Sequence, residues 1–112
     1  MKQRRSRRFD PDRAVRATFD AFVAAVTAQD FAAFRGLHTE LAAAALDRER
    51  FARNAQRAAS GGLRFRLLGA TYEGALATVT FEVARQVGTD NERSTDTLTL
   101  VRDGERYLIQ ES

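Results

Sequence analysis

Val15, Phe19, Phe22 and Val26 recur at spacings of three and four, the period of one buried face of an α-helix. The segment Asp10-Pro11-Asp12 just ahead of them supplies a start. Asp10 can accept from the orphan amides of the first turn, Pro11 suits the first helical position, and Asp12 favours the positive end of the helix dipole. The stripe predicts a helix running to about Gln29. Asp30 is placed to cap a second helix, whose apolar stripe reads Phe31, Phe34, Leu37, Leu41 and Ala45, with Gly36 weakening it modestly. A third cap, Asp47, precedes Glu49 in the first turn and Phe51, Ala55 and Ala58 on one face, and Ser60-Gly61-Gly62 ends that helix.

Beyond Gly62 the period changes from about four to two. Residues 64–72, 76–87, 94–102 and 105–110 are rich in Val, Thr, Leu, Phe and Tyr, the types that favour strands. Three turns predict their register. Asp103-Gly104 suits a two-residue hairpin turn with both residues at positive φ, pairing Leu100 with Tyr107 and Leu98 with Ile109. Gly74 suits a three-residue loop that pairs Leu67 with Phe81 and Phe65 with Val83. A turn centred on Asp90-Asn91 pairs Val83 with Leu98 and Phe81 with Leu100. All three put Phe65, Leu67, Val79, Phe81, Val83, Leu98, Leu100, Tyr107 and Ile109 on one face. Thr78, Thr80, Thr95, Thr97 and Thr99 fall on the other. Agreement among independent turns predicts an α+β domain in which three N-terminal helices pack on a curved four-stranded antiparallel sheet.

Composition narrows the chemistry. The chain has 112 residues, within the range of one domain, and no Cys, which excludes disulfides, thiolate zinc sites and a Cys nucleophile. His38 is the sole His, so no multi-His metal site can form and only one imidazole base is on offer. No Ser-His-Asp signature and no Gly-rich phosphate loop is present, and neither a metal nor a cofactor is expected.

The net charge of +3 is unevenly spread. Lys2, Arg4, Arg5, Arg7 and Arg8 carry it, and the rest of the chain is mildly acidic. Residues 1–9 therefore read as a basic, solvated tail ahead of a single domain over 10–112. Such a run can meet nucleic acid or an anionic surface through counterion release. It carries no interleaved aromatic side chains to stack on bases, which argues against single-strand recognition. Ser6-Arg7-Arg8-Phe9 superficially suggests a twin-arginine signal, but Asp10, Pro11, Asp12, Arg13 and Arg16 follow where the apolar stretch of an export signal belongs. The longest uncharged stretch, Ala21 to Gln29, is too short to span a membrane. The expectation is a soluble, cytoplasmic domain without a membrane partner.

The chain resembles the nuclear-transport-factor-2-like superfamily of cone-shaped, cystatin-like domains, over about residues 11–111. The resemblance is carried by the Val15-to-Val26 helix running into Gln29-Asp30-Phe31, by Leu37-His38-Thr39-Glu40-Leu41 and by the Ala77-Thr78-Val79-Thr80-Phe81 strand. The closing stretch from Leu98 to Ile109 through Asp103-Gly104 completes it, with Tyr107 where relatives usually carry Trp. The superfamily includes ketosteroid isomerases, SnoaL-like cyclases, epoxide hydrolases and dehydratases, besides members that only bind or assemble. The resemblance implies a concave pocket between sheet and helices, and often a homodimer through the outer sheet face. Fold alone does not choose among these activities.

Two readings of the candidate residues stay open. Arg85 and Asp96 fall in phase with the apolar face, and the Asp90-Asn91 turn sets them opposite each other. Asp96 is then either a general acid or base oriented by Arg85, or half of a partly exposed cross-strand salt bridge. His38, beside the Leu37–Leu41 edge, is either a base or a core imidazole with one nitrogen in water. Tyr107 can donate to a ligand oxygen or to a backbone carbonyl. The central inward positions of strands 64–72 and 76–83 hold no acidic residue of the kind an isomerase site needs. An apolar pocket lined by Phe19, Phe22, Phe34, Phe65, Phe81, Leu98 and Tyr107 requires none. The reading that follows is a non-catalytic domain that binds a small apolar ligand or assembles as a homodimer. Its rival is a SnoaL-like cyclase or isomerase using Asp96, Arg85, His38 and Tyr107.

Overall fold

The computed structural model describes residues 8–111. A helical layer, α1 (Pro11–Thr27), α2 (Phe31–Arg35), α3 (Glu40–Ala44) and α4 (Arg48–Ala59), precedes a sheet of β1 (Leu63–Glu73), β2 (Leu76–Val87), β3 (Asp90–Asp103) and β4 (Arg106–Glu111). The sheet is an antiparallel meander in the order β1-β2-β3-β4. Lys2, Arg4, Arg5 and Arg7, which carry most of the expected basic tail, lie outside the described residues. Phe9, assigned to that tail on sequence, is partly buried: it packs on Tyr107 with ring centroids 5.8 Å apart and lies 3.6 Å below the Arg102 guanidinium. Phe9 thus packs against the core of the domain.

The caps act as their sequence positions imply. Asp10 accepts from the Arg13 amide at 3.3 Å, Asp30 from Ala33 at 3.0 Å, and Asp47 from Glu49 and Arg50 at 3.0 and 3.1 Å. Each removes one or two of the unpaired donors that a helix start exposes. Val15, Phe19, Phe22 and Val26 are buried along α1, together with Thr18. The Thr18 hydroxyl donates to the Tyr107 carbonyl at 2.8 Å, a polar pin between α1 and β4 inside the apolar interface. Thr18→Val keeps the shape and removes the donor. It should cost about 1–3 kcal/mol, the penalty for a buried acceptor losing its partner. Urea denaturation checks this through a lower midpoint at unchanged slope.

The second helical segment differs from the expectation of one helix from Asp30 to Ala45. It breaks at Leu37–Thr39, where the chain joins the edge of β4. The Ile109 amide donates to the Leu37 carbonyl at 2.7 Å, and the Thr39 amide to the Ile109 carbonyl at 2.9 Å. An edge strand presents unpaired amides and carbonyls, and three residues of this segment satisfy one such pair. Thr39 then caps the new start by accepting from Ala42 at 3.2 Å. The break rotates Leu41 out of the stripe, leaving it 85% exposed.

Phe65 does pair with Val83 and Leu67 with Phe81, although the loop after β1 has two residues, Gly74 and Ala75. A bulge between Leu67 and Gly69 restores the expected register and bends the sheet. The other two registers move. The β2–β3 turn sits at Gly88–Thr89, with Gly88 at φ 62°, so Leu98 pairs with Val79 and Leu100 with Ala77. The β3–β4 turn is Gly104–Glu105, and only Gly104 there has positive φ. Leu100 therefore faces Ile109, and Arg102 faces Tyr107. Both slips are even, so every side chain keeps its face despite the new partners. Val79, Phe81, Leu98, Leu100, Tyr107 and Ile109 all remain buried beneath the helices.

Candidate functional site

A cavity of about 500 Å³ lies between the helical layer and the inner sheet face. Its walls come from α1, α2, α4 and β1 to β3, because the aromatic positions of the helical stripes and of the strands point at one another there. Phe22, Phe34, Phe51, Phe65 and Phe81 line it. Phe22 is the hub: its ring centroid lies 5.8 Å from Phe34, 5.8 Å from Phe65 and 6.0 Å from Phe81, edge-on to the last two. Phe34 stacks in turn on Phe51 at 4.6 Å. Tilted and edge-to-face aromatic pairs fix the rings in preferred geometries, which keeps them at the wall of the cavity. Val26, Leu63, Val83 and Leu98 complete the apolar surface. Around the opening stand Asp47, Arg50 and Asn54 from the α4 end, and Arg85, Ser94 and Asp96 from the β2–β3 ribbon. A second depression of about 510 Å³ beside α2 and α4 is lined by helical and adjoining loop residues alone and touches no strand.

The structure divides the candidate residues. Phe22, Phe34, Phe65, Phe81 and Leu98 line the cavity, whereas Phe19 and Tyr107 do not. Phe19 lies in the core against Phe81, with centroids 5.6 Å apart. Tyr107, buried to 4% exposure, packs with Phe9 and Tyr72. Arg85 and Asp96 both reach the rim but are not opposite each other. The Gly88–Thr89 turn pairs Arg85 with Glu92 and Asp96 with Phe81. The expected Arg85–Asp96 bridge is absent for that reason, and Asp96 instead accepts from the Thr97 amide at 2.8 Å.

His38 is buried behind Phe34, whose ring lies 4.8 Å from its own, and it does not line the cavity. Its Nδ1–H donates to the Phe34 carbonyl at 2.8 Å, while Nε2 is buried with no partner. Burial lowers its pKa below the ordinary imidazole value, only partly offset by the bond to Phe34, so the ring is held neutral. Tyr72 donates to the Asp12 carboxylate, and burial together with that acceptor raises the phenol's pKa. Both phenols thus lie away from the cavity. Of the four residues of an acid-base reading, Arg85 and Asp96 share the cavity rim without pairing, while His38 and Tyr107 lie away from the cavity.

Arg50 and Asn54 are rim residues that the reading of the sequence did not single out. The signal was present. Both flank Phe51 on α4, one position before it and three after, where a polar side chain borders the buried stripe. A helical wheel shows the border but not what lies across from it.

No family model matches the chain, and no curated protein matches it. Solved structures do. A SEC-C motif-containing protein from Rhodopseudomonas palustris superposes with a TM-score of 0.65 at 17% identity, covering 85% of this chain and 73% of that one. A designed NTF2-fold protein gives 0.69 at 16% identity over 90% and 96% of the two chains. An NTF-2-like protein of unknown function from Shewanella oneidensis MR-1 gives 0.59 at 12% identity over 90% and 95%. With its helices first and its curved four-stranded meander behind them, the chain has an NTF2-like fold.

Proposed function

We propose that this domain binds a small apolar molecule in the cavity between helices and sheet and performs no acid-base chemistry on it. The observation that carries this is the cavity itself, about 500 Å³ and walled by five phenylalanines. That volume is within the range of about 300–1,000 Å³ in which small-molecule sites fall. Its apolar lining supplies binding energy by removing ligand surface from water. The polar groups sit at the rim, where they orient a ligand without converging on one of its atoms. Catalysis of the isomerase or cyclase kind needs such convergence, a base and an oxyanion donor on the same reacting centre.

The reading includes a second copy of the chain on the outer sheet face. That face is bare of helices among the described residues, and its central rows carry Thr71, Thr78 and Thr99 beside Thr80 and Thr97. β-branched side chains with few charges make a surface that can pack on its own image about a two-fold axis.

Native mass spectrometry of the purified full chain, set against its denatured mass, tests both parts. A dimer with extra non-covalent mass is expected. A monomer would end the assembly reading. A bare mass that also stays bare after incubation with a panel of aliphatic and aromatic compounds would end the ligand reading.

A further inference from the structure

Among the described residues, two guanidinium groups at the cavity rim have no ion-pair partner. Arg50 enters from the first turn of α4 and Arg85 from β2, and both line the opening. Among the described residues neither makes an ion pair. Glu92, across the strand from Arg85, forms none with it. The rim carboxylates are differently placed. Asp47 is committed to the start of α4, accepting from two backbone amides at 3.0 and 3.1 Å. Asp96 accepts from the Thr97 amide at 2.8 Å. Each of these carboxylates is already held by backbone amides through one oxygen, whereas an anion meets arginines whose side-chain donors make no ion pair among the described residues.

The charge along α4 points the same way. Arg48, Arg50, Arg53 and Arg57 stand against one acidic residue, Glu49, and the positive end of the helix dipole lies at the rim. Field from such a helix raises the local concentration of anions at the opening. Because Asp47 already caps α4, the arginine side chains, rather than the backbone amides, are the groups left to hold one.

Beneath this rim the surface turns apolar within one layer of residues, at Phe22, Phe65 and Phe81. The geometry points to an amphiphilic carboxylate as the occupant, its apolar body against these rings and its head between Arg50 and Arg85. This rests on the reading that the cavity binds a small molecule, and adds the class of head group. A guanidinium presents paired N–H donors that match the two oxygens of a carboxylate, which a hydroxyl or an ammonium head cannot use in the same way.

Calorimetric titration of the full chain with decanoate, 1-decanol and decyltrimethylammonium, each kept at concentrations where it is monomeric in solution, tests the assignment. Decanoate should bind more tightly than decanol by on the order of tenfold, the effect of one charge-assisted pair, and added salt should narrow the gap. The double substitution Arg50→Gln with Arg85→Gln should close the gap between decanoate and decanol. Decanol binding as tightly as decanoate, or decyltrimethylammonium binding more tightly, would overturn the head-group assignment while leaving the apolar cavity intact. Binding of none of the three would remove the cavity reading as well. The comparison among ligands uses the unaltered chain, so it stands even if the doubly substituted protein is poorly folded.

Discussion

Phe81→Ala should lower the stability of this domain by about 3–5 kcal/mol, the usual cost of deleting a buried phenyl ring. Phe81 is 4% exposed and lies in the middle of β2, so almost none of its ring meets water. It touches Phe19, Phe22 and Phe65, with centroids 5.6, 6.0 and 6.2 Å away, and so joins the closed core to the cavity wall. Against a net stability of about 5–15 kcal/mol for a domain, that loss is large. Phe65→Ala is the informative partner. Phe65 is only partly buried and also lines the cavity, so its removal mainly widens a space that already exists. It should cost less than Phe81→Ala and change ligand binding more. Equal losses in denaturant melts would mean that Phe65 is packed as tightly as Phe81, and that the cavity contributes little free volume beside it.

Stability should also fall as the solution is made mildly acidic, with His38 as the cause. In the unfolded chain the imidazole titrates near its ordinary value of 6.5. In the folded chain burial opposes the charged form, since Nε2 has no partner and the ring lies against Phe34. The bond from Nδ1 to the Phe34 carbonyl opposes that shift without reversing it. The folded pKa is therefore the lower of the two, and as pH falls the unfolded state takes up the proton first. Stability from this group is complete above about 6.5, declines below that, and levels off once pH has passed the folded value. One proton limits the slope to about 1.4 kcal/mol per pH unit. Denaturant midpoints between pH 7.5 and 5.5 would show it, and His38→Leu should flatten the profile. An unchanged slope in His38→Leu would assign the effect to another group. The strap of Leu37–Thr39 on β4 surrounds His38 in sequence, so acid should loosen that edge of the sheet first.

The site was legible in part, and the residues show why. Phe22, Phe34, Phe65, Phe81 and Leu98 could be named because each sits in phase with an apolar stripe, and phase is a local property of the chain. Phe19 and Tyr107 share the same phase yet belong to closed packing, since a stripe does not say where along its length the opposing surface draws back. Arg85 and Asp96 were placed on the inner face correctly, because an even slip of register preserves faces. Their pairing failed because it depended on one turn. Asp90-Asn91 has suitable turn chemistry, but so does Gly88, whose φ of 62° the turn uses. The observed turn sets Leu98 opposite Val79, and both are buried beneath the helices. His38 could be read either as a base or as a core imidazole. The contact of its segment with Ile109, far away in the chain, draws the ring into the core, with Nε2 buried rather than in water as expected.

By itself the sequence determined the starts of α1, α2 and α4, the buried face of α1 and α4, the inward face of β2, β3, β4 and of β1 as far as Leu67, and the order of these elements. Each of these is set by neighbours within a few positions: a capping carboxylate, a period of three to four, a period of two, a glycine at a turn. Tertiary structure decided the rest. It split the second helix to satisfy the edge of β4, fixed which of several even registers the hairpins adopt, and left open the space that Arg50 and Arg85 border. Those outcomes depend on the free energy of surfaces meeting across the fold, and hydrophobic patterns that keep the same parity are indistinguishable until those surfaces meet.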